Sequence, residues 1–344
     1  MSSVVLHADA DCFFAAVAMR SRPELQARPM AVVAHVYVAS ANYPARARGI
    51  TSGMLAAEAV RVLPELILVD VDRTAVESAS DALFELFEGI ARGVEPGSME
   101  EAFLDVGDDW ERAVEAGHRL RRRAFAELGI PISVGVGRTK LMAKLASRAA
   151  KPDGLSEIGP DAEAGLRVTL PVTQLWGVGD RTIRRLSTLG VKRLGEIDTV
   201  RTDVLAQTCG TTMARRLLRY RDGTDDATVR SVRSRTSLTA EVATGGYRRP
   251  DWTPGQMLEQ CVVRACRRIA RAELVASGVT VSLFVRGGQP NVIFKHTEAT
   301  PTADSRIWLD ACRARAPRPV QPLSGLRVTL TGLMPATTVA TTLF

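Results

Sequence analysis

A change of pattern at Pro152-Asp153-Gly154 limits what this chain can fold into. Before it, short β-branched or apolar runs alternate with stretches of helical periodicity. After it, residues 160–229 carry helical pattern alone. Residues 4–8 read as a buried strand that stops at Asp9-Ala10-Asp11. Phe13, Ala16, Val17 and Arg20 then recur at helical spacing. Further strands are expected at 31–39, 67–71, 99–106 and 130–136, with helices at 51–63, 75–90, 110–128 and 139–150. Pro96-Gly97 marks a turn, so 99–106 belongs to a hairpin-like pair in an α+β front region. Past the helical stretch, 229–237 reads as an extended basic linker. A final α+β segment follows, with a helix at 256–276 and strands at 279–286, 291–295 and 325–333.

The 344 residues exceed one ordinary domain, and 46% apolar with 24% charged residues supply both a core and a solvated surface. Disorder, collagen and a disulfide miniprotein are thereby excluded for the whole chain. Cys12, Cys209, Cys261, Cys266 and Cys312 form no C-x-x-C pair and no Cys/His cluster, which fits a reducing cytoplasm and argues against a zinc module. No signal peptide is visible, and the uncharged stretch 29–45 carries Pro, Ser, Asn and His, a poor membrane span. Charge is uneven. Residues 1–159 hold 18 basic and 22 acidic side chains, a net −4, whereas 160–344 hold 27 and 16, a net +11. The back half suits a polyanion and the front half can hold cations; a merely soluble basic surface is the bland alternative.

Three groups of residues carry chemistry. Asp9 and Asp11 flank a strand end, and Glu100-Glu101 follow the Pro-Gly turn at the start of another strand. Neighbouring strands lie about 4.8 Å apart, so carboxylates at their ends can share hard divalent ions. Adjacent residues of a regular strand face opposite ways, so Glu100 and Glu101 can act together only at a strand end or irregularity. Exposed surface acids are the competing reading. The second group is Trp176-Gly177-Val178-Gly179-Asp180-Arg181-Thr182. A Gly-hydrophobe-Gly turn between helices lets backbone N–H groups approach a DNA phosphate, in a helix-hairpin-helix pattern; a plain helix–helix turn is the alternative. In the third, Ser40, Tyr43, Arg46 and the distant Lys151 have the chemistry to hold a triphosphate, but nothing in the sequence alone brings them together.

Five blocks together resemble the Y-family translesion DNA polymerases, in the DNA polymerase IV branch. They are HADADCFF at 7–14, ASANYPARARG at 39–49, SMEEAFLDV at 98–106, PISVGVGRTKLMAKLASRAAKPDG at 131–154 and LWGVGDRTIRRLSTLGV at 175–191. They recur in the family's order and spacing. The last part of the chain matches only in pattern, as the family's variable little finger does.

The resemblance implies an α+β multidomain chain with the right-hand polymerase fold. The palm would comprise 1–10 and 72–159, with small fingers at 11–71 and a helical thumb at 160–229. A linker at 230–241, an α+β little finger at 242–336 and a tail at 337–344 would follow. It further implies two Mg²⁺ ions, with Mn²⁺ as a substitute, held by Asp9, Glu100, Glu101 and the Ala10 carbonyl. Ser40, Tyr43, Arg46 and Lys151 would contact the dNTP, and Phe14 would be the steric gate against a ribose 2′-OH. Gly177, Gly179, Arg181, Thr182 and the linker residues Arg230, Arg233 and Arg235 would grip primer-template DNA. The terminal Thr337-Thr338-Val339-Ala340-Thr341-Thr342-Leu343-Phe344 loosely resembles the family's sliding-clamp peptides, which end in Leu-Phe, without their usual glutamine. One position departs: the family's Ser-hydrophobe-Asp-Glu reads Ser98-Met99-Glu100-Glu101, so one ligand arm gains a methylene. Positioning is most of phosphoryl-transfer catalysis, so the departure bears on rate rather than fold. A DNA-binding accessory protein with a weakly active or inactive palm is the alternative function. A palm-type nucleotide cyclase is a weaker third, disfavoured by the thumb turn and the basic back half.

Overall fold

The computed structural model describes residues 4–34, 36–232, 235–243, 253–285, 292–315 and 323–339. In chain order the first elements are β1 (Val5–Ala10), α1 (Phe13–Arg20), β2 (Met30–Ala34), β3 (Tyr37–Ala41), α2 (Tyr43–Arg46), α3 (Ala56–Val62) and β4 (Ile67–Asp70). Then come α4 (Arg73–Glu88), β5 (Gly93–Pro96), β6 (Glu101–Asp105), α5 (Trp110–Leu128), β7 (Ile132–Gly137), α6 (Lys140–Ala149) and β8 (Leu155–Ile158). The helical stretch holds α7 (Pro160–Thr169), α8 (Asp180–Thr188), α9 (Thr202–Cys209) and α10 (Thr211–Asp222). Last come β9 (Ser237–Ala243), α11 (Pro254–Arg271), β10 (Leu274–Val285), β11 (Val292–Thr302), α12 (Ser305–Arg315), β12 (Leu323–Thr331) and β13 (Met334–Pro335). The chain divides into two compact units, Met1–Pro23 with Thr74–Val229, and Glu24–Arg73 with Arg230–Phe344.

The first unit is built on a sheet of order β5-β6-β1-β7-β8, antiparallel except for the β7–β8 pair. Side chains alternate along β7. Val134 faces α5, where a Cβ at Gly117 would meet it at 3.1 Å, and Gly135 and Gly137 face α6. A Cβ at Gly135 would lie 2.0 Å from the Ala143 oxygen, so the α6 backbone rests directly on the sheet. This close approach lets α6 side chains reach the strand ends. On its other side α6 gives Leu141, Met142 and Leu145 to the core of the helical stretch, with Leu170, Leu186, Leu194, Ile197, Leu205 and Leu217. Each fully buried side chain of this kind is worth roughly 1.5–3 kcal/mol. Helix α5 has both expected ends: Asp109 accepts from the Arg112 N–H, and Gly129 closes the helix at φ 63.

In the second unit β2 pairs antiparallel with β3 and parallel with β4 over a small core of Ala31, Val38, Ile50, Ala59, Leu63 and Leu66. The same unit holds an antiparallel sheet of order β11-β10-β12-β9, whose core includes Cys261, Val262 and Ile269 of α11 and Trp308 and Cys312 of α12. Thr253 and Gln256 cap α11 reciprocally, with Pro254 at its first position.

Several expectations need correcting. Residues 31–39 form two strands of a hairpin, not one strand. The helix expected over 51–63 begins only at Ala56, and the one expected to 276 stops at Arg271, where Leu274 already opens a twelve-residue strand. Strand β9 starts at Ser237, inside the stretch read as linker, and β5, β8 and α12 add to the elements read from sequence. Among the described residues no helix is long and apolar enough to cross a membrane. All five cysteines are free and buried.

Candidate active site and nucleic-acid interface

His7 and Asp9 share one face of β1. Their partners in register are Phe103 and Glu101 on β6, and Gly135 and Ser133 on β7. It is the face that α6 covers, since His7 reaches Ser147 and Lys144. Asp9 and Glu101 thus stand side by side near the ends of their strands. Glu100 lies just before β6 in the bend 97–100, the irregularity that its joint action with Glu101 requires. The bend is tied down: Gly97 and Ser98 donate to the Glu101 oxygen at 2.9 and 3.2 Å, and the N–H of Ala10, which ends β1, donates to the Glu100 oxygen at 3.0 Å.

Each strand-end acid has a cation beside it. Lys151 Nζ donates to Asp9 Oδ1 at 2.6 Å and Lys144 Nζ to Glu101 Oε2 at 2.5 Å. Burial would raise the Glu101 carboxyl, but the Lys144 ammonium hydrogen-bonded to it outweighs burial and holds it below the usual carboxylate range. Burial, with the Asp9 and Glu101 charges nearby, pushes the Glu100 carboxyl up against the pull of Ser98. Burial also lowers His7, which favours the neutral ring. Asp11 has a different task. Its Oδ2 accepts from Ser133 Oγ at 2.9 Å and from the Asp153 N–H at 2.7 Å, which anchors the turn that carries Lys151.

Among the described residues no three carboxylate, histidine or cysteine side chains converge on one point as they stand. The donor set nonetheless fits a hard divalent cation. Asp9, Glu100 and Glu101 supply only carboxylate oxygen, the donor a hard divalent cation prefers.

Phe13 and Phe14 open α1 edge to face, with ring centroids 5.8 Å apart. Phe13 enters the core at 2% exposure, whereas Phe14 stays partly exposed. Lys151 belongs to this unit. Ser40, Tyr43 and Arg46 lie in the other, where β3 runs into α2. The Asn42 side chain organises that junction: its Oδ1 accepts from the Met30 and Ala45 N–H groups, and its Nδ2 donates to the Leu25 and Arg28 oxygens. The Arg46 guanidinium stacks 5.6 Å from the Tyr43 ring centroid and donates to the Ala41 oxygen.

Gly177 has φ 76, where a side chain would be strained, and exposed Gly179 precedes Asp180, the first residue of α8. Arg181 is exposed and Thr182 half-buried. The element before this turn is a 3₁₀ turn, Val172–Gln174, rather than the expected full helix. Arg230 and Arg235 fall in the second unit, and Arg233 lies outside the described residues.

Sequence reasoning missed His7, Lys144 and Ser147. The available signals were a lone polar residue inside the apolar run 4–8, and lysines seven apart at 144 and 151.

The impB/mucB/samB family profile matches residues 8–148. A DNA polymerase IV from Halorhodospira halophila is 33% identical over 346 residues, covering 96% of this chain and 95% of that protein. The DNA polymerase IV of Pseudomonas syringae pv. tomato is 35% identical over 69% of each chain. DNA polymerase IV 2 of Mesorhizobium japonicum is 36% identical, and the match spans 59% of its length. Among solved structures, an insertion ternary complex of Dbh DNA polymerase superposes with a TM-score of 0.74 at 22% identity, covering 96% of this chain and 99% of that one. DinB from Sulfolobus solfataricus gives 0.72 at the same identity and coverage. The fold is therefore that of a right-hand polymerase, with palm, small fingers, helical thumb and α+β little finger. The chain belongs to the Y-family of translesion DNA polymerases, in the DNA polymerase IV branch.

Proposed function

We propose that the chain extends a primer 3′-OH by template-directed nucleotidyl transfer from a dNTP, through the acids at the ends of β1 and β6. The supporting observation is the in-register pair Asp9 and Glu101 with Glu100 beside it in a pinned bend. Family membership implies divalent-metal dependence. Two Mg²⁺ ions held by Asp9, Glu100, Glu101 and the Ala10 carbonyl would lower the pKa of the 3′-OH and neutralise the departing pyrophosphate, and Mn²⁺ would substitute.

The chain's own residues supply the rest. Lys151, now on Asp9, is close enough to the acids to meet the negative charge of an incoming triphosphate. Ser40, Tyr43 and Arg46 carry phosphate-binding chemistry at the β3–α2 junction. The Phe14 ring, partly exposed at the start of α1, would reject a ribose 2′-OH. Gly177, Gly179, Arg181 and Thr182 grip DNA backbone, and Arg230, Arg233 and Arg235 add sequence-independent charge. On this reading the palm is 1–10 with 72–159, the fingers 11–71, the thumb 160–229 and the little finger the sheet and helices that follow.

Extension of a primed template with a divalent metal, for wild type and Asp9→Ala, tests the assignment. DNA binding without extension by the wild type would favour the accessory-protein reading. The tail from Thr337 is proposed as a clamp-binding peptide, although 340–344 lie outside the described residues. Equal clamp stimulation with and without the tail would refute this.

A further inference from the structure

His7, Ser147 and Lys144 form a hydrogen-bonded chain behind Glu101 that nucleotidyl transfer does not itself use. Counting protons fixes its direction. Ser147 Oγ donates to the Lys144 carbonyl at 3.0 Å, which uses its only proton. The 2.7 Å contact between Ser147 Oγ and His7 Nδ1 is then a donation from Nδ1–H. A neutral ring protonated at Nδ1 presents a bare lone pair at Nε2. Lys144 Nζ lies 3.2 Å from that lone pair and 2.5 Å from Glu101 Oε2, and donates to both. His7 Nε2 and Glu101 Oε2, 3.5 Å apart, are therefore two acceptors sharing one ammonium. His7 and Ser147 are 0% exposed and Lys144 6%, so water cannot readily replace a lost partner. A Cβ at Gly97 would fall 2.7 Å from the other oxygen, Oε1. Among the described residues Oε1 accepts no hydrogen bond.

We propose that Lys144 is a positioning residue for Glu101: aimed by the His7 lone pair, its ammonium grips Oε2 and leaves Oε1 as the oxygen offered to a divalent cation. This rests on the reading of Glu101 as a cation ligand. A passive counterion would behave differently. By charge alone an ammonium this close weakens cation binding, so deleting it would tighten the ion and leave the rate equal or higher. Deleting a positioning group instead misplaces the ligand, and the rate falls even with the ion bound.

Lys144→Met in the full chain separates the two. Positioning requires kcat for primer extension to fall about 30-fold while the dNTP KM stays within about twofold, with no recovery at saturating Mg²⁺. Mn²⁺ binding by the protein alone, read by spin resonance, stays equal or tightens. An unchanged or higher kcat would overturn the proposal. Comparing His7→Gln with His7→Leu gives a check that does not depend on the folding of the lysine variant. Gln keeps an acceptor for Lys144 and should stay within about threefold of wild type, while Leu should fall as far as Lys144→Met. Equal rates for the two His7 variants would also overturn it. Glu101→Ala is the control for the underlying reading: wild-type Mn²⁺ binding and extension by that variant would remove Glu101 as a ligand. An inactive Glu101→Ala beside a wild-type-like Lys144→Met would remove only the positioning role.

Discussion

Asp9 on β1 and Glu101 on β6 are cross-strand neighbours in register. Like charges placed directly opposite each other are destabilising. The protein offsets the repulsion with Lys151 on one acid and Lys144 on the other, at 2.6 and 2.5 Å. Four charged groups have thus been gathered at a partly buried site where apolar packing would be simpler, as expected of a site kept for chemistry.

The first prediction follows from that pair. Asp9→Ala and Glu101→Ala should each lower primer extension by about 10³-fold or more, roughly 4 kcal/mol of transition-state stabilisation. DNA affinity should stay near wild type, because phosphate contacts are assigned to other parts of the chain. Single-turnover extension and a DNA-binding titration check both halves. Substantial extension by Asp9→Ala would remove the acids from the mechanism.

Phe13 and Phe14 are adjacent but differently placed, and their alanine variants should part accordingly. Phe13 is 2% exposed, so Phe13→Ala should cost about 3–5 kcal/mol of stability. Phe14→Ala should cost clearly less and should admit ribonucleotides. Comparing dNTP and rNTP incorporation, with a melting curve for each variant, decides it. A Phe14 variant that melts early with unchanged sugar choice would make that ring a core residue.

How much of this was legible in the sequence depends on whether the signals were local. Helix α5 could be read to its ends because its N-cap and its closing glycine, Asp109 and Gly129, are part of the local sequence. The β2–β3 hairpin could not, because the chain reverses between Ala34 and Tyr37 without the Gly, Pro or Asn that usually marks such a turn. Strand β9 was hidden because it begins where a basic stretch ends and its partner, β12, lies far along the chain. Asp9, Glu100 and Glu101 were readable as acids at strand ends. The contact between His7 and Lys144 spans 137 positions, so no spacing rule reaches it. The lysines on Asp9 and Glu101 are likewise products of the α6–β7 contact, which only folding creates.

That contact is itself testable. Gly135 faces α6 so closely that a Cβ would sit 2.0 Å from the Ala143 oxygen and 2.1 Å from the Ser147 nitrogen. Backbone atoms cannot rotate away, so Gly135→Ala must push helix and sheet apart. The loss should exceed about 4 kcal/mol, among the large single-residue effects. Urea denaturation measures it, and a loss under about 1 kcal/mol would mean that the helix shifts freely.

Tyr220 should give the protein an alkaline weakness. Its hydroxyl donates to the Trp176 oxygen at 3.0 Å, and burial pushes the phenol up to about 12. An unfolded phenol ionises near pH 10, so the unfolded chain sheds this proton first. The stabilisation is complete below pH 10 and is lost as pH rises through about 12. Tyr220→Phe should be about 1 kcal/mol less stable than wild type at neutral pH, and the gap should close or reverse by pH 12. Parallel denaturation curves test this, since Cys266 and Cys312, also raised by burial, are common to both proteins. A gap independent of pH would remove the phenol as its cause.

Glu100 is the position where the family pattern carries the shorter acid. The structure limits how the extra methylene can be absorbed. The Glu100 oxygen is held by the Ala10 N–H at 3.0 Å and its N–H by Ser98 Oγ at 3.2 Å, so the backbone on both sides of Cα is fixed. The longer arm must then be taken up by side-chain torsions, which displaces the carboxylate from where an aspartate would present it. We expect slow extension with Mg²⁺ and a clear gain with Mn²⁺, whose geometric demands are looser. Glu100→Asp should raise the Mg²⁺ rate about tenfold, or about 1.4 kcal/mol, and should shrink the advantage of Mn²⁺. If the surrounding palm has instead adapted to glutamate, the shorter carboxylate will fall short of the ion and the rate will drop. The ratio of Mg²⁺ to Mn²⁺ rates in the two proteins distinguishes these outcomes. A higher ratio in Glu100→Asp supports the misfit, and an equal or lower one rejects it.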